Sequence, residues 1–177
     1  MKKIGNIRFC ITLLLIGFVG GNGIKAQETD YKAYTLFIYN FMKYVEWPEN
    51  SNKGEFIICV MGESPIMKEL QVLATTKKLK GRTIVLKRCD TPEEALNAHL
   101  VFIPESKSGV IKSMKEQTKG KPLLIVAERE GLARKGAGIS FVTLDEDALK
   151  FDINKKEIEI RQLRISNSLI SLGMVIN

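Results

Sequence analysis

Phe56-Ile57-Ile58-Cys59-Val60-Met61-Gly62-Glu63-Ser64-Pro65 decides the fold class. Six consecutive apolar residues are too few for a buried helix and suit a strand covered on both faces. Gly62 ends the run, Ser64 is placed to cap a helix, and Pro65 fits its first turn, so a helix follows to about Thr75. Further along, the same alternation repeats. Thr83–Lys87 reads as a second strand, and Thr91-Pro92-Glu93-Glu94 as a capping box that opens a short helix to Asn97. Leu100–Ile103 is a third strand closed by Pro104-Glu105-Ser106, followed by a helix over Gly109–Gln117. Leu123–Ala127 and Ile139–Leu144 are the fourth and fifth strands. Strands alternating with helices predict an α/β fold: a single compact domain with a mainly parallel, about five-stranded sheet covered by helices.

Outward from this core, Leu149–Ile153 is placed to fold back on Ile139–Leu144 as a hairpin. Lys155–Ile165 fits a short helix and a strand equally, and Ser168–Val175 reads as an apolar terminal helix capped by Ser166 or Asn167. On the other side, Tyr31–Val45 carries Phe37, Phe41, Tyr44 and Val45 on one helical face and Tyr31, Tyr34, Ile38 and Met42 on a second, until Trp47-Pro48 stops it. Seven of the 13 aromatic residues fall between Tyr31 and Trp47, more than one buried stripe requires.

Residues 1–26 read as a cleaved export signal: Lys2, Lys3 and Arg8 precede the apolar run Phe9–Val19, and cleavage is expected after Ala26. The domain then spans residues 27–177, and an exported protein is expected. The signal also holds much of the chain's basicity. Of 27 basic residues, Lys2, Lys3, Arg8 and Lys25 leave with it and no acidic residue does, so the formal charge falls from +7 to +3. Nucleic acid is therefore not an expected partner, since its binding needs a clustered basic face.

Little in the sequence carries catalysis. Gly62-Glu63-Ser64-Pro65-Ile66 lacks the last glycine of a nucleophile elbow, and the single histidine, His99, opens the third strand at the end opposite Ser64. Gly131, Gly136 and Gly138 precede a strand, whereas a phosphate loop must open a helix. No catalytic residue, cofactor or metal site is expected. Glu63, Glu105, Glu128 and Glu130 all follow strands and are placed to ring a crevice at the carboxyl end of the sheet, where α/β folds bind ligands; a solvated rim is the favoured competing reading. Cys59 and Cys89 remain after export, an even pair that permits a disulfide, although Cys59 also reads as a buried apolar residue.

The stretch from Tyr34 to Pro48, ending Lys43-Tyr44-Val45-Glu46-Trp47-Pro48, resembles the opening helix of the YfiR family of periplasmic proteins. Phe56–Gly62, Gly136-Ala137-Gly138-Ile139-Ser140-Phe141, Phe151-Asp152-Ile153-Asn154 and Leu163–Ile170 are similar, in order, to the family's first strand, glycine turn and closing pattern. Many relatives carry a cysteine where this chain has Ala98, so a family-type bridge from Cys59 to that position is absent and any bridge must use Cys89. The resemblance implies a periplasmic regulatory protein without catalytic activity. The best-understood relatives bind the extracytoplasmic sensor domain of a membrane diguanylate cyclase and hold it inactive, which couples envelope or redox stress to cyclic di-GMP; similar domains also accompany other membrane sensor proteins.

Two functional expectations follow. In the first, the partner is a membrane-anchored sensor protein, or a second copy of the chain in a homodimer. Tyr34, Ile38, Met42 and Trp47 are the candidate contact residues, because aromatic and Met side chains are enriched at interfaces. Burial of both rows of the helix is the competing reading of those four. The alternative expectation is a small-ligand receptor with Glu63, Ser64, Ser106 and Glu128 lining a crevice at the strand carboxyl ends. Helix capping competes for both serines.

Overall fold

The structure, a computed structural model, describes residues 29–143 and 148–176. The expected export signal, the first residues of the expected domain, residues 144–147 with the expected strand end at Leu144, and Asn177 lie outside the described residues. The chain opens with α1 (Tyr31–Tyr44), capped by Asp30, whose carboxylate accepts from the N–H groups of Lys32 and Ala33. There follow β1 (Val45–Glu46), β2 (Phe56–Met61), α2 (Ile66–Thr76), β3 (Lys78–Leu79) and β4 (Arg82–Cys89). The middle of the chain contributes β5 (Leu100–Ile103), α3 (Ile111–Gln117), β6 (Leu124–Ala127) and β7 (Ile139–Thr143). The last third is β8 (Leu149–Asn154), α4 (Lys155–Ile160), β9 (Arg164–Ile165), α5 (Asn167–Ile170) and β10 (Met174–Ile176).

Eight strands form one sheet in the order β10-β8-β7-β6-β5-β2-β4-β3, and β1 pairs with β9 in a separate ribbon. The inner run β7-β6-β5-β2-β4 is wholly parallel, which matches the five strands read from the sequence. From β2 the chain steps to β4 on one side and then to β5 on the other, so the winding reverses between β2 and β5. β8 turns back antiparallel on β7, in register from Ile139 opposite Ile153 to Thr143 opposite Leu149. That is the expected hairpin.

Period-two alternation divides the side chains into two cores. Phe56, Ile58 and Val60 of β2, with Leu100, Phe102, Leu124, Val126, Phe141 and Phe151, face α1, α2 and α5. Cys59, Met61, Val101, Ile103 and Ile125 face α3 and the short turns around Ala95 and Ala133. Most of these residues are fully buried. At roughly 1.5–3 kcal/mol for each fully buried large apolar side chain, the α1 face is the larger hydrophobic contribution. The largest of the buried polar residues is Arg161 after α4: its Nη1 donates to the Thr118 carbonyl and Oγ1, which ties α4 to the end of α3.

The ends of the chain differ from expectation in four places. Lys155–Ile165 is helix and strand in succession, α4 then β9. The capping box at Thr91 produces only a 3-10 turn, Glu93–Ala95, because the Glu94 carboxylate accepts from the Asp90 N–H one residue upstream. The terminal helix over Ser168–Val175 is also shorter: α5 stops at Ile170, and β10 adds to the sheet parallel to β8, with Met174 opposite Asp152. Gly173 explains this switch. A Cβ there would stand 2.5 Å from Cε2 of Phe151 and 2.6 Å from Cδ1 of Ile153, so only glycine lets the chain pass this close to β8. The fourth difference is β3, a two-residue antiparallel strand on the other edge, for which the sequence carries no expectation.

Gly173→Ala tests that account. Overpacking against the buried Phe151 ring should cost about 1–3 kcal/mol in urea unfolding. Amide exchange in β10 and its β8 partners should quicken while the inner strands stay protected. Unchanged exchange in β10 would show that the contact is relieved without moving the strand.

Candidate functional site

The Trp47-Pro48 corner sits at the amino end of the sheet and is built for closure. Trp47 Nε1 donates to the His99 carbonyl at 3.2 Å, and Asn52 Nδ2 donates to the Trp47 carbonyl. The Trp47 ring meets Phe56 edge-on, with centroids 5.0 Å apart, and Phe56 stacks on His99 at 4.8 Å. His99 Nδ1 accepts from the Ile57 N–H at 3.0 Å, and this assigns the proton to Nε2, which donates to the Ser51 carbonyl. Arg82 closes the knot by donating to the carbonyls of Lys53, Gly54 and Glu55, with its guanidinium over the Phe56 ring. His99 is thus a structural histidine. Burial lowers its pKa below the ordinary 6.5, the nearby Arg82 charge adds to that, and the Ser51 carbonyl opposes it.

The first helix is where the sequence reading is corrected. Tyr34, Ile38, Met42 and Trp47 all belong to the core that α1 makes with the sheet, so they are not available as a contact surface. Both rows of the helix are used. Tyr34 and Phe41 pack on Phe141 and Phe41 also on Phe151, while Phe37 reaches both rings from the side. Of the seven aromatic residues, Tyr34, Phe37 and Phe41 meet the β7–β8 hairpin, Trp47 packs on Phe56, and the Tyr39 hydroxyl donates to the Lys78 carbonyl.

The expected ligand residues are also rearranged. Glu63 turns outward to Arg88 at 2.8 Å. Lys107 lies across Gly62, so its aliphatic stem fills the space between the β2 and β5 loops. Neither serine caps a helix: α2 begins behind Pro65, and Ser106 is exposed inside a 3-10 turn that begins behind Pro104. Ser64 Oγ is buried without a hydrogen-bond partner among the described residues. Glu128 lines a cavity. Its Oε2 accepts from the Glu105 N–H at 2.8 Å, and the two flank a crevice of about 400 Å³ over the carboxyl ends of β5, β6 and β7. Tyr34 lines the inner wall, with Phe141 behind it, and Glu130, Arg129 and Thr143 complete the rim. Burial and then the Glu128 charge, with smaller effects from Tyr31 and Glu105, push the Tyr34 phenol up to about 12. The α1 amino end roofs this crevice, so the ligand-sized space lies beside the reversal between β2 and β5 rather than at it.

The profile of the YfiR/HmsC-like family matches residues 31–174. The chain belongs to the YfiR/HmsC-like family. No curated protein matches the chain with significance. The match begins with α1 and ends in β10, so the aromatic helix, the Trp47 corner and the hairpin are all parts of the family domain.

Two further features of this family member bear on function. Cys59 and Cys89 lie diagonally across the β2–β4 pairing, with Cα atoms 5.9 Å apart, and their sulfurs are bonded in the structure. The second feature is at the sheet edge. Asn167–Asn177 contains no charged residue, and within it Leu172, Met174 and Val175 are 58%, 37% and 46% exposed. The expected helix over Ser168–Val175 carries no sign of this edge, because β10 forms only where the chain passes close to β8 at Gly173.

The His99 arrangement sets a pH dependence. With its folded pKa below 6.5, the unfolded chain takes up the proton first, so stability is whole above about pH 6.5 and falls as the pH drops through it. Urea unfolding between pH 7.5 and 5.5 should lose up to ~1.4 kcal/mol per pH unit. His99→Gln should be less stable at pH 7.5 and nearly flat over that range. A variant that keeps the parent's slope would assign the dependence to another group.

Proposed function

We propose that this protein is a non-enzymatic regulatory binding protein of the periplasm. It acts by occupying the extracytoplasmic sensor region of a membrane-anchored signalling protein. Membership of the YfiR/HmsC-like family supports the class, and where the sensor belongs to a diguanylate cyclase the output is the cyclic di-GMP level. The observation that carries the reading to a surface is the β10 edge. β10 pairs with β8 alone, so its outer N–H and C=O groups are open to an added strand, beside three exposed apolar side chains and no charge.

The chemistry of the edge restricts the partner. Isolated edge strands are usually protected by a lysine, a proline or a bulge, and β10 has none of these. A charged partner surface would be desolvated here without compensation. The occupant is therefore an extended, apolar segment of the sensor. Its binding shifts the receptor only by its preference for the inactive state. Moving a receptor from 99% active to 99% inactive needs about 5.5 kcal/mol of such preference. Three half-exposed side chains supply roughly 2–5 kcal/mol at the usual transfer values, so the strand pairing and the surrounding contact must provide the remainder.

Leu172→Lys and Val175→Glu change exposed positions and should alter stability by less than about 0.5 kcal/mol. In cells, crosslinking of the wild-type chain should recover one membrane sensor, and each variant should lose it. Equal recovery from folded variants would sink the edge as the contact. By contrast, truncating Trp47 should unfold the domain, which is why the earlier candidates make poor tests of binding.

A further inference from the structure

We propose that the outer face of the α1–α2 layer, with the β3–β4 hairpin at its end, rests on the surface of an anionic phospholipid bilayer. Lys32, Lys43, Lys68, Lys77, Lys78 and Lys80 meet the headgroups, and Leu36 and Val72 enter the layer beneath them. The inference goes beyond the regulatory reading and stands whether or not that reading holds.

Charge is the first support. Residues 31–44 and 66–82, which form α1, α2 and the hairpin, hold seven basic residues and one acid, Glu69. Their surplus of six exceeds the +3 of the whole expected domain, so the remainder is net negative. All six lysines are exposed, and among the described residues none of the seven basic side chains is in a salt bridge. They also share a surface. Lys32 and Lys43 lie about three turns apart on the stripe of α1 that faces away from the sheet, and Lys68 lies on the outward stripe of α2. The two helices pack side by side on one face of the sheet and run in the same direction, which brings Lys43 beside the hairpin. There Tyr39 Oη donates to the Lys78 carbonyl at 3.2 Å, and Lys43 Nζ lies 5.8 Å from the Tyr39 ring centre.

The second support is apolar and independent of charge. Leu36 is 65% exposed and Val72 54%, and each lies one helical turn from a lysine on the same outward stripe, Lys32 and Lys68. Half-buried Tyr39 and Tyr44 stand beside Lys43. Lysines around a few apolar and tyrosine side chains are the composition of a surface that lies on a bilayer. An acidic protein fits less well. Protein interfaces are depleted in lysine and favour arginine, and the one arginine here, Arg82, is turned inward to the carbonyls of Lys53, Gly54 and Glu55. Mobile headgroups, by contrast, accept point charges on flexible stems without a fixed geometry. Protection of the β3 edge explains Lys78 but not the lysines of the two helices. The β10 edge is at the far end of the sheet from β3, so a domain resting on α1 and α2 keeps that edge free.

Co-sedimentation of the exported chain with vesicles of equimolar phosphatidylglycerol and phosphatidylcholine tests the proposal. Binding is expected there and not to phosphatidylcholine alone, and it should weaken as salt is raised. Each lysine lost should cost about fivefold in affinity, so Lys77→Glu with Lys78→Glu should weaken binding by more than about tenfold. Leu36→Ser leaves the charge unchanged and should weaken it several-fold. Lys112→Glu with Lys119→Glu makes the same charge change on the α3 side of the sheet and should leave binding nearly intact. All of these positions are exposed, and urea unfolding checks that each variant is folded. No sedimentation of the folded chain at low salt overturns the proposal. Equal loss in the two charge pairs also overturns it, by making the effect one of net charge. Retention on poly-glutamate without vesicle binding would overturn it in favour of an acidic protein. Sensor recovery is expected to persist in Lys77→Glu with Lys78→Glu, which separates this face from the β10 contact.

Discussion

The packing of α1 on Phe141 and Phe151 is the constraint on which the rest of the structure depends. A mainly parallel sheet must be covered on both faces, and on this face a single long helix does most of the covering. The connection that follows α1 is short, so the helix cannot shift without moving β1, the Trp47 corner and the entry to β2. Its position also roofs the carboxyl end of the sheet, which turns the ends of β5, β6 and β7 into a crevice. One packing requirement thus sets both the core and the crevice at the strand ends.

Polar closure is concentrated at the opposite end. Trp47, His99 and Arg82 satisfy the carbonyls of residues 51, 53, 54, 55 and 99 and the N–H of Ile57, groups that a turn packed against the core would otherwise leave unpaired. The Trp-Pro signature is therefore a device for ending a helix, reversing the chain and starting a central strand within a few residues. Its specificity as a motif comes from geometry: indole, imidazole and guanidinium each have one partner set here. A motif this recognisable invites a functional reading, and in this molecule its physical work is structural.

The parallel core was legible because its signal is local. Each inner strand is a short apolar run closed by Gly or Pro, and period-two burial needs no distant partner to be read. The C-terminal segment was not, because Leu169-Ile170-Ser171-Leu172-Gly173-Met174-Val175-Ile176 suits a helix until Gly173 meets the Phe151 ring, a contact separated by 22 positions in sequence. The site was half legible. Glu105, Glu128 and Glu130 were placed at the correct end by their positions after strands. Glu63 and Ser106 were placed there by the same rule and left it, one to Arg88 and the other to solvent, because Lys107 occupies the space between their loops. Tyr34 was singled out as a contact surface, whereas its ring packs on Phe141.

The acidic crevice and the uncharged β10 edge are joined by a continuous path of side chains. Tyr34 touches Phe141, Phe41 touches both Phe141 and Phe151, and Phe151 lies under Gly173 at the start of β10. Contiguity alone does not transmit a signal. Coupling needs an element with two arrangements whose balance both sites bias. Phe41, Phe141 and Phe151 are fully buried in one interlocked packing, and rotating any of them would cost cavity and overpacking terms together. The element with the least to lose is β10, three residues long and paired on one side. Whatever acts on the partner through this path therefore changes the attachment of β10 to β8 and not the aromatic core. The glycine that allows that attachment is then also what sets its ease of release.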